Sequence, residues 1–431
     1  MTALPADLAG WLEYVERQHP KTIDLGLERV ARVRDRLAFP PLPPTIIVAG
    51  TNGKGSTCAM LESILQSAGY RTGLYSSPHL VDYNERVRVA GAPVGDATLV
   101  AAFARVEAVR GEVPLTYFEF GTLAAMVVFA AAGLDALILE VGMGGRLDAV
   151  NAFEPDVAIV TSVDLDHMEY LGDTREKIGW EKAHVFRPGK HAIVGDPMPP
   201  ESVLRHARDI GADLQVQGRD FGFQGDSQQW LYWGRAGRRA GLPYPALRGA
   251  NQLLNASTAI AALEGLRVRL PVSAQDIRNG LARVELPGRF QVLPGRPTVI
   301  LDVAHNPHAA AVLAENLDRM GDAELDFKRT LAVFGMLFDK DIAGVVRRLK
   351  SHVDKWFVAT LPGPRGATAG TLAAIVAAEH PWAEVDGFES PAAALAAARA
   401  EAGPDDRIAV FGSFLTVADV MSQRKSVAGR Q

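Results

Sequence analysis

The chain is short of the features that would place it in several large classes. It has one cysteine, Cys58, in 431 residues, so no intrachain disulfide can form and a reducing, cytoplasmic setting is expected. It has no surplus of basic charge. Its 45 Lys and Arg stand against 50 Asp and Glu, a net charge of -5, so no global field draws it to nucleic acid or to an anionic membrane. The partners expected are small molecules, and a small anion would need a local basic pocket. Long hydrophobic runs are missing too: the longest, Leu123 to Leu139, is broken by Gly133 and Asp135, whereas a membrane span needs roughly 20 apolar residues. It reads as a buried helix followed by a strand. The opening MTALPADLAG lacks the charged-then-apolar pattern of a secretion signal. No repeat of solenoid length occurs, and the only biased tract is an Ala-rich helix near Ala392.

What is there is a large apolar fraction on a long chain. At 431 residues and 48% hydrophobic, the chain exceeds the size at which one core keeps growing, so two domains are expected. Short β-branched runs alternate with Ala/Leu-rich helical runs. TIIVAG at Thr45 precedes STCAMLESILQSAG, and TGLYSS, LDALILEV and DVAIVTS follow. Such alternation predicts parallel strands with crossover helices on both faces. Gly69 marks a helix stop, and Asp96 and Asp173 are placed as helix N-caps. From Gln215 to Arg248 the pattern turns to aromatics, glycines and arginines without helical period (FGFQGDSQQWLYWGRAGRR), which predicts a small β-meander or flap. A second strand-helix series begins with TVILDVAHNP at Thr298, and the Pro/Gly-dense LPGRFQVLPGRP, Leu286 to Pro297, is placed as the hinge before it. The tail after Met421 is expected to fray. The fold class is therefore α/β in two domains: an N-terminal P-loop-type parallel-sheet domain, 1–288, and a smaller Rossmann-like domain, 289–431.

The strongest local signal is VAGTNGKGST, Val48 to Thr57, which follows an apolar strand and opens a helix. In that setting backbone N–H groups and the positive helix end face a phosphate chain. Gly50, Gly53 and Gly55 let the backbone come close, Lys54 can reach β- and γ-phosphates, and Ser56 or Thr57 can offer a hydroxyl to magnesium. The spacing is not that of the standard Walker loop, because Gly50 and Gly53 enclose only two residues and Gly55 separates Lys54 from Ser56. The competing reading is a Gly-rich turn with an exposed lysine. Cys58, inside the helix, reads as a small core residue and not as a nucleophile, since no His stands near it.

A nucleotide triphosphate requires magnesium, which prefers hard oxygen ligands. Glu140 ends LDALILE, Ser77 closes TGLYSS before Pro78 and His79, and Asp164, Asp166 and His167 follow DVAIVTS. All fall at C-terminal strand ends, where open α/β sheets bind ligands. VGMGGRLD fails the dinucleotide fingerprint and reads as a loop carrying Arg146 and Asp148 to a ligand. Lys182 lies on a predicted helix, where lysines are commonly solvated. Tyr117, Phe118 and Phe120 beside Glu119 offer aromatic faces with a polar neighbour, although Phe120 reads better as core.

Taken together these motifs resemble the Mur ligase superfamily and, within it, the folylpolyglutamate synthases, above all the bifunctional bacterial group that also makes dihydrofolate. The resemblance runs from KTIDLGLERV through VAGTNGKGST, YSSPHL, ERVRV, LTYFEFGTL, LEVGMGGRLDAVN, EKAHVFR, LPGRFQ, LDVAHNPHAA, GMLFDKD and GPRGAT to VFGSF, nearly the whole chain. It implies an ATP-dependent ligase that joins L-glutamate to dihydropteroate and to folates. ATP contacts are implied at Gly50, Thr51, Asn52, Gly53, Lys54, Gly55, Ser56 and Thr57, with Asn255, Arg289 and Asp302. Magnesium, as two ions, is implied at Ser56, Ser77, Glu140, His167 and Lys182, the last as a carbamylated lysine. Folate contacts are implied at Asp24, Leu25 and Gly26, at Thr116, Tyr117, Phe118 and Glu119, and at Leu147, Asp148 and Ala149; His305 and Ser413 look toward glutamate. Lys54, Glu140, His167, Lys182 and His305 are the catalytic candidates. One departure is Asn251, which stands where related ligases often carry a His. Activation of a carboxylate as acyl phosphate, and closure about the hinge to exclude water, follow from such an activity. A monofunctional folylpolyglutamate synthase and a cell-wall amino-acid ligase share this logic; a nucleotide switch without chemistry and a simple kinase fit less of it. A monomer is expected.

Overall fold

Thr45–Ala49 is apolar after its first residue and buried throughout, and as strand β1 it lies near the centre of an eight-stranded sheet. A computed structural model describes residues 4–21, 23–225, 229–249, 251–321 and 327–428. The chain divides into two units, Met1–Pro78 with Asn84–Ala246 and Leu253–Val284, and His79–Tyr83 with Leu247–Gln252 and Glu285–Gln431.

In the first unit β1 is joined by β2 (Thr72–Tyr75), β3 (Val87–Val89), β4 (Ala92–Pro93), β5 (Ala136–Glu140), β6 (Val157–Val160), β7 (His191–Val194) and β8 (Asp213–Val216) in the order β4-β3-β2-β5-β1-β6-β7-β8. All pairings are parallel except β2 with β3 and β3 with β4. The buried strands β1, β5 and β6 are near-continuous apolar runs, as parallel strands covered on both faces must be. The helices are α1 (Leu8–Glu16), α2 (Glu28–Leu37), α3 (Lys54–Ser67), α4 (Asp96–Arg110), α5 (Tyr117–Ala131), the short α6 (Met168–Leu171), α7 (Arg175–Ala183), α8 (Glu201–Asp209), α9 (Gln252–Gly265) and α10 (Ala274–Arg283). Helix α3 packs so closely on α10 that a Cβ at Gly280 would lie 2.5 Å from the Cα of Ile64, and Ser63 donates to the Gly280 carbonyl at 2.8 Å.

Several local expectations hold. The run Leu123 to Leu139 is the buried end of α5 followed by β5. Helix α3 ends at Ser67, and Gly69 just beyond it takes φ +87. The meander is a three-stranded antiparallel sheet, β9 (Gly222–Gly225), β10 (Trp230–Gly234) and β11 (Gly237–Leu242), that buries Trp230 and Tyr232. Two cap assignments are corrected. Gly95 caps α4 without a side-chain bond, leaving Asp96 inside the first turn, and the α7 cap is Thr174, whose hydroxyl accepts from the Lys177 amide. An acidic residue beside a cap serves the helix dipole equally well, so composition alone does not separate the two positions.

The second unit orders its strands β12 (Gln291–Leu293), β13 (Thr298–Leu301), β17 (Arg407–Phe411), β14 (Thr330–Phe334), β15 (Lys355–Ala359) and β16 (Glu384–Phe388), with only the edge strand β12 antiparallel. Alternation along each strand sorts its side chains between two apolar clusters. Phe334, Trp356 and Phe411 face α11 (Pro307–Gly321), α12 (Ile342–Leu349) and α13 (Ala369–Glu379), while Val333, Phe357 and Val410 face α14 (Pro391–Glu401) and α15 (Phe414–Ala428). Each such side chain contributes about 1.5–3 kcal/mol by leaving water. Residues after Met421 continue α15 to Ala428 and do not fray there; 429–431 lie outside the described residues.

Candidate active site

Four adjacent parallel strands, β2, β5, β1 and β6, end at the same edge of the first sheet, and Ser77, Glu140, the phosphate loop and His167 lie at or beyond their C-termini. The phosphate loop leaves β1 and enters α3. It is fixed to the end of β6: the Thr51 amide donates to the Ser162 carbonyl at 2.6 Å, the Asn52 amide to the Ser162 hydroxyl at 3.2 Å, and Thr161 Oγ1 to the Asn52 carbonyl at 2.7 Å. Gly50 and Gly53 take φ +148 and +89; a Cβ at Gly50 would sit 1.8 Å from Thr161 Oγ1, and one at Gly53 2.6 Å from Asn255 Oδ1. Asn255, buried on α9, is thus brought to the loop. Gly55, Ser56 and Thr57 form the first turn of α3, with Ser56 and Thr57 buried and the Thr57 hydroxyl lacking a hydrogen bond. Lys54 folds back, donating to the carbonyls of Gly50 at 3.0 Å and Thr51 at 3.3 Å.

Lys182 is buried, 4% exposed, and donates to the Gly50 carbonyl at 3.0 Å. Removal from water, then the charge of Lys54, lower its pKa to about 7, so a neutral amine is present at neutral pH. The solvated reading for this lysine is therefore wrong: its helix turns the side chain inward, because Gly145 lets the 142–148 loop pack on α7, where a Cβ would fall 2.8 Å from the Glu181 carbonyl. Arg146, whose loop position suggested a ligand, is engaged by residues of α7. It pairs with Glu181 at 2.9 Å and lies 4.9 Å from the Trp180 ring centre.

Glu140, buried at the end of β5, accepts from the Ser77 amide at 3.3 Å, which joins two of the magnesium candidates. His167 sits half-buried at the start of α6 with φ +50, its Nε2 3.9 Å from Asp166 Oδ2. Among the described residues, no group of three or more His, Cys, Asp or Glu side chains gathers tightly enough to hold a metal ion. One buried carboxylate, hydroxyls and an imidazole fit an ion that takes its remaining oxygens from phosphates and water. Cys58 is fully buried, and burial pushes its thiol well above the usual range, in keeping with a core role.

The folate candidates are also brought together. Asp24 is tied to Glu119 through Arg29, and Thr116 and Glu119 cap α5 reciprocally. Leu25 is half-buried and Gly26 buried in the same turn. A Cβ at Gly142 would lie 2.6 Å from Phe118, so the start of the loop that leads to Leu147, Asp148 and Ala149 abuts that ring, which also tilts against Tyr75. Arg86 lies 5.6 Å from the centre of the Tyr117 ring. Asp148 closes its own loop, accepting from the amides of Met143 at 2.9 Å and Val150 at 3.0 Å; burial raises its carboxyl to about 6. Phe120 is core. Arg29 escaped the sequence reading, because a bond between residues 90 apart leaves no periodic trace.

The second unit carries its candidates after β13 and β17 and just before β12. Asp302 follows β13 and accepts from the amides of Phe290 and Ala304, each at 2.8 Å; burial raises its carboxyl above the usual value while the Arg289 charge opposes the rise. Arg289 lies 4.9 Å from the Phe414 ring centre, His305 stands 5.9 Å from the same ring, and Ser413 is buried just before α15.

A phosphate loop of this spacing on a parallel sheet, followed by a second α/β unit, defines the class of Mur-type ligases. The Mur ligase middle domain matches residues 48–195, and the Mur ligase glutamate ligase domain matches residues 288–414. The dihydrofolate synthase/folylpolyglutamate synthase of Escherichia coli strain K12 is 50% identical over 415 residues, covering 96% of this chain and 94% of its own. The structure of E. coli FolC in complex with DHPP and ADP superposes with a TM-score of 0.93 at 48% identity, covering 99% of this chain and 100% of that one. A bifunctional folylpolyglutamate synthase/dihydrofolate synthase with Mn, AMPPNP and L-glutamate bound gives 0.89 at 45% identity over 98% of this chain and all of its own. The chain belongs to the dihydrofolate synthase/folylpolyglutamate synthase family.

Proposed function

We propose that this protein is an ATP-dependent ligase that adds L-glutamate to dihydropteroate and to the γ-carboxylate of tetrahydrofolate through an acyl phosphate. The observation that carries the reading is the loop leaving β5. It presents Glu140 beside Ser77 and, two residues on, lays Gly142 against Phe118, so one backbone segment serves both the phosphate edge and the aromatic pocket.

A free carboxylate resists an amine because its charge repels the nucleophile and oxide leaves poorly. Attack of the carboxylate oxygen on the γ-phosphorus, with ADP leaving, replaces that charge with a good leaving group. The glutamate α-amine then adds to the carbonyl carbon, and phosphate and a proton depart as the amide forms. The amides of Gly50, Thr51, Asn52, Gly53 and Gly55, with Lys54, Ser56 and Thr57, cradle the phosphates beside Asn255, and Arg289 and Asp302 are the nucleotide contacts that the second unit contributes to this reading. A divalent ion, in up to two positions among Ser56, Ser77, Glu140, His167 and Lys182, supplies charge that offsets the phosphoryl oxygens. The neutral Lys182 amine suits carbamylation, in which its nitrogen attacks carbon dioxide and gives up a proton. Asp24, Leu25, Gly26, the Thr116 to Glu119 turn and Leu147 to Ala149 receive the pteridine, and His305 and Ser413 receive glutamate. The protein acts as a monomer in a reducing cytoplasm, where its buried Cys58 thiol stays free.

The decisive experiment supplies purified protein with ATP, Mg2+ and L-glutamate and either dihydropteroate or tetrahydrofolate. ADP release with one glutamyl mass increment is expected for both acceptors. Product with tetrahydrofolate alone would reduce the activity to the second step, and none with either acceptor would end the reading.

A further inference from the structure

Of the residues around the candidate pteridine pocket, Arg29 makes the densest set of bonds. From α2 its Nη1 donates to Asp24 Oδ2 at 2.6 Å and its Nη2 to the Asp24 carbonyl at 2.6 Å. The same guanidinium bonds Glu119, Nη2 to Oε1 at 2.9 Å and Nε to the two oxygens at 3.2 and 3.3 Å. Glu119 is 4% exposed, and its Oε2 also accepts from the Thr116 amide at 2.7 Å. Asp24 is further approached by Lys21 at 3.2 Å and by His19 at 3.5 Å.

One planar cation therefore ties together two segments far apart in the chain, the turn before α2 and the first turn of α5. Helix packing alone does not need this: α2 already buries Val30, Val33 and Leu37. A fork satisfied on one side by a buried carboxylate and on the other by a carboxylate and its own backbone carbonyl sets direction as well as distance. The amino-pyrimidinone edge of a pteridine offers two adjacent N–H donors, and a carboxylate held at a fixed angle is its natural acceptor.

We propose that Arg29 is a positioning residue of the pteridine pocket: anchored on the buried Glu119, it holds the more exposed Asp24 at a fixed angle as the acceptor. This rests on the assignment of Asp24 and Glu119 to folate. Lysine keeps the charge but cannot span four acceptor oxygens in fork geometry, so Arg29→Lys isolates alignment from charge.

Steady-state kinetics of Arg29→Lys, Arg29→Gln and Glu119→Gln, each with melting curves, test it. Arg29→Lys is expected to raise KM for dihydropteroate about tenfold, the loss of roughly one charge-assisted bond, with kcat and the KM values for ATP and glutamate within about twofold. Arg29→Gln is expected to raise the pteridine KM further. Glu119→Gln is the control on the underlying assignment: an unchanged pteridine KM there would remove the folate reading of this turn and the inference with it. A raised KM in Glu119→Gln beside an unchanged one in Arg29→Lys would overturn the role of Arg29 alone. Parallel loss of kcat, all KM values and melting temperature in Arg29→Lys would make Arg29 a purely structural tie and also overturn it.

Discussion

Lys54 and Lys182 donate to the same oxygen, the carbonyl of Gly50, each at 3.0 Å. Two amines from helices far apart in sequence thus meet on one backbone atom at the mouth of the phosphate loop. They are not equivalent: Lys54 is half-exposed at the start of α3, and Lys182 is buried.

Lys54 can exchange its two carbonyl partners for phosphate oxygens without disturbing the core. Lys54→Ala is therefore expected to keep its circular dichroism spectrum and lower kcat by roughly 10²–10³-fold, the range for removal of one preorganised donor to a developing charge. ATP-dependent amide formation at the wild-type rate would refute the role.

Lys182 carries a stability cost that depends on pH. Its folded pKa of about 7 lies below the ~10.4 of an unfolded lysine, so between these values the unfolded chain holds the extra proton. The penalty is absent above the unfolded value, grows as pH falls, and is fully present below about 7. In metal- and nucleotide-free protein, Lys182→Met is expected to abolish ligation yet flatten the rise of stability between pH 7 and 10 by up to ~1.4 kcal/mol per pH unit. Urea melts at pH 7, 8 and 9 measure it, and an unchanged slope would show that the lysine is charged when buried.

Legibility followed the range of the interaction. The phosphate loop, the strand ends bearing Ser77 and Glu140, and the two α/β series are written in contiguous residues, so period and spacing expose them. The burial of Lys182 depends on Gly145 from another loop, and the capture of Asp24 and Glu119 by Arg29 spans two helices; neither leaves a local pattern. The partners of Arg146 were hidden for the same reason. Its loop suggested a ligand, and its partners Trp180 and Glu181 lie on α7.

Glycine positions give a matched comparison. Gly50 and Gly69 both have positive φ, but a Cβ at Gly50 meets Thr161 Oγ1 at 1.8 Å while one at Gly69 meets nothing within 4 Å. Gly69→Ala is expected to cost about 1–2 kcal/mol from backbone strain alone, and Gly50→Ala about 2–5 kcal/mol with loss of nucleotide binding. Chemical denaturation and nucleotide titration of the pair check this; equal costs would mean that the contact with Thr161 yields freely.

The union of α3 with α10 reaches beyond the finished molecule. Ile64 is buried under Gly280, and the two positions leave the ribosome far apart in time. At about 5–20 residues per second, the helix that begins the phosphate site waits roughly 10–40 s for its cover. A nascent chain halted before Gly280 presents that uncovered apolar flank to chaperones, and a message truncated there encodes a nucleotide loop without its backing.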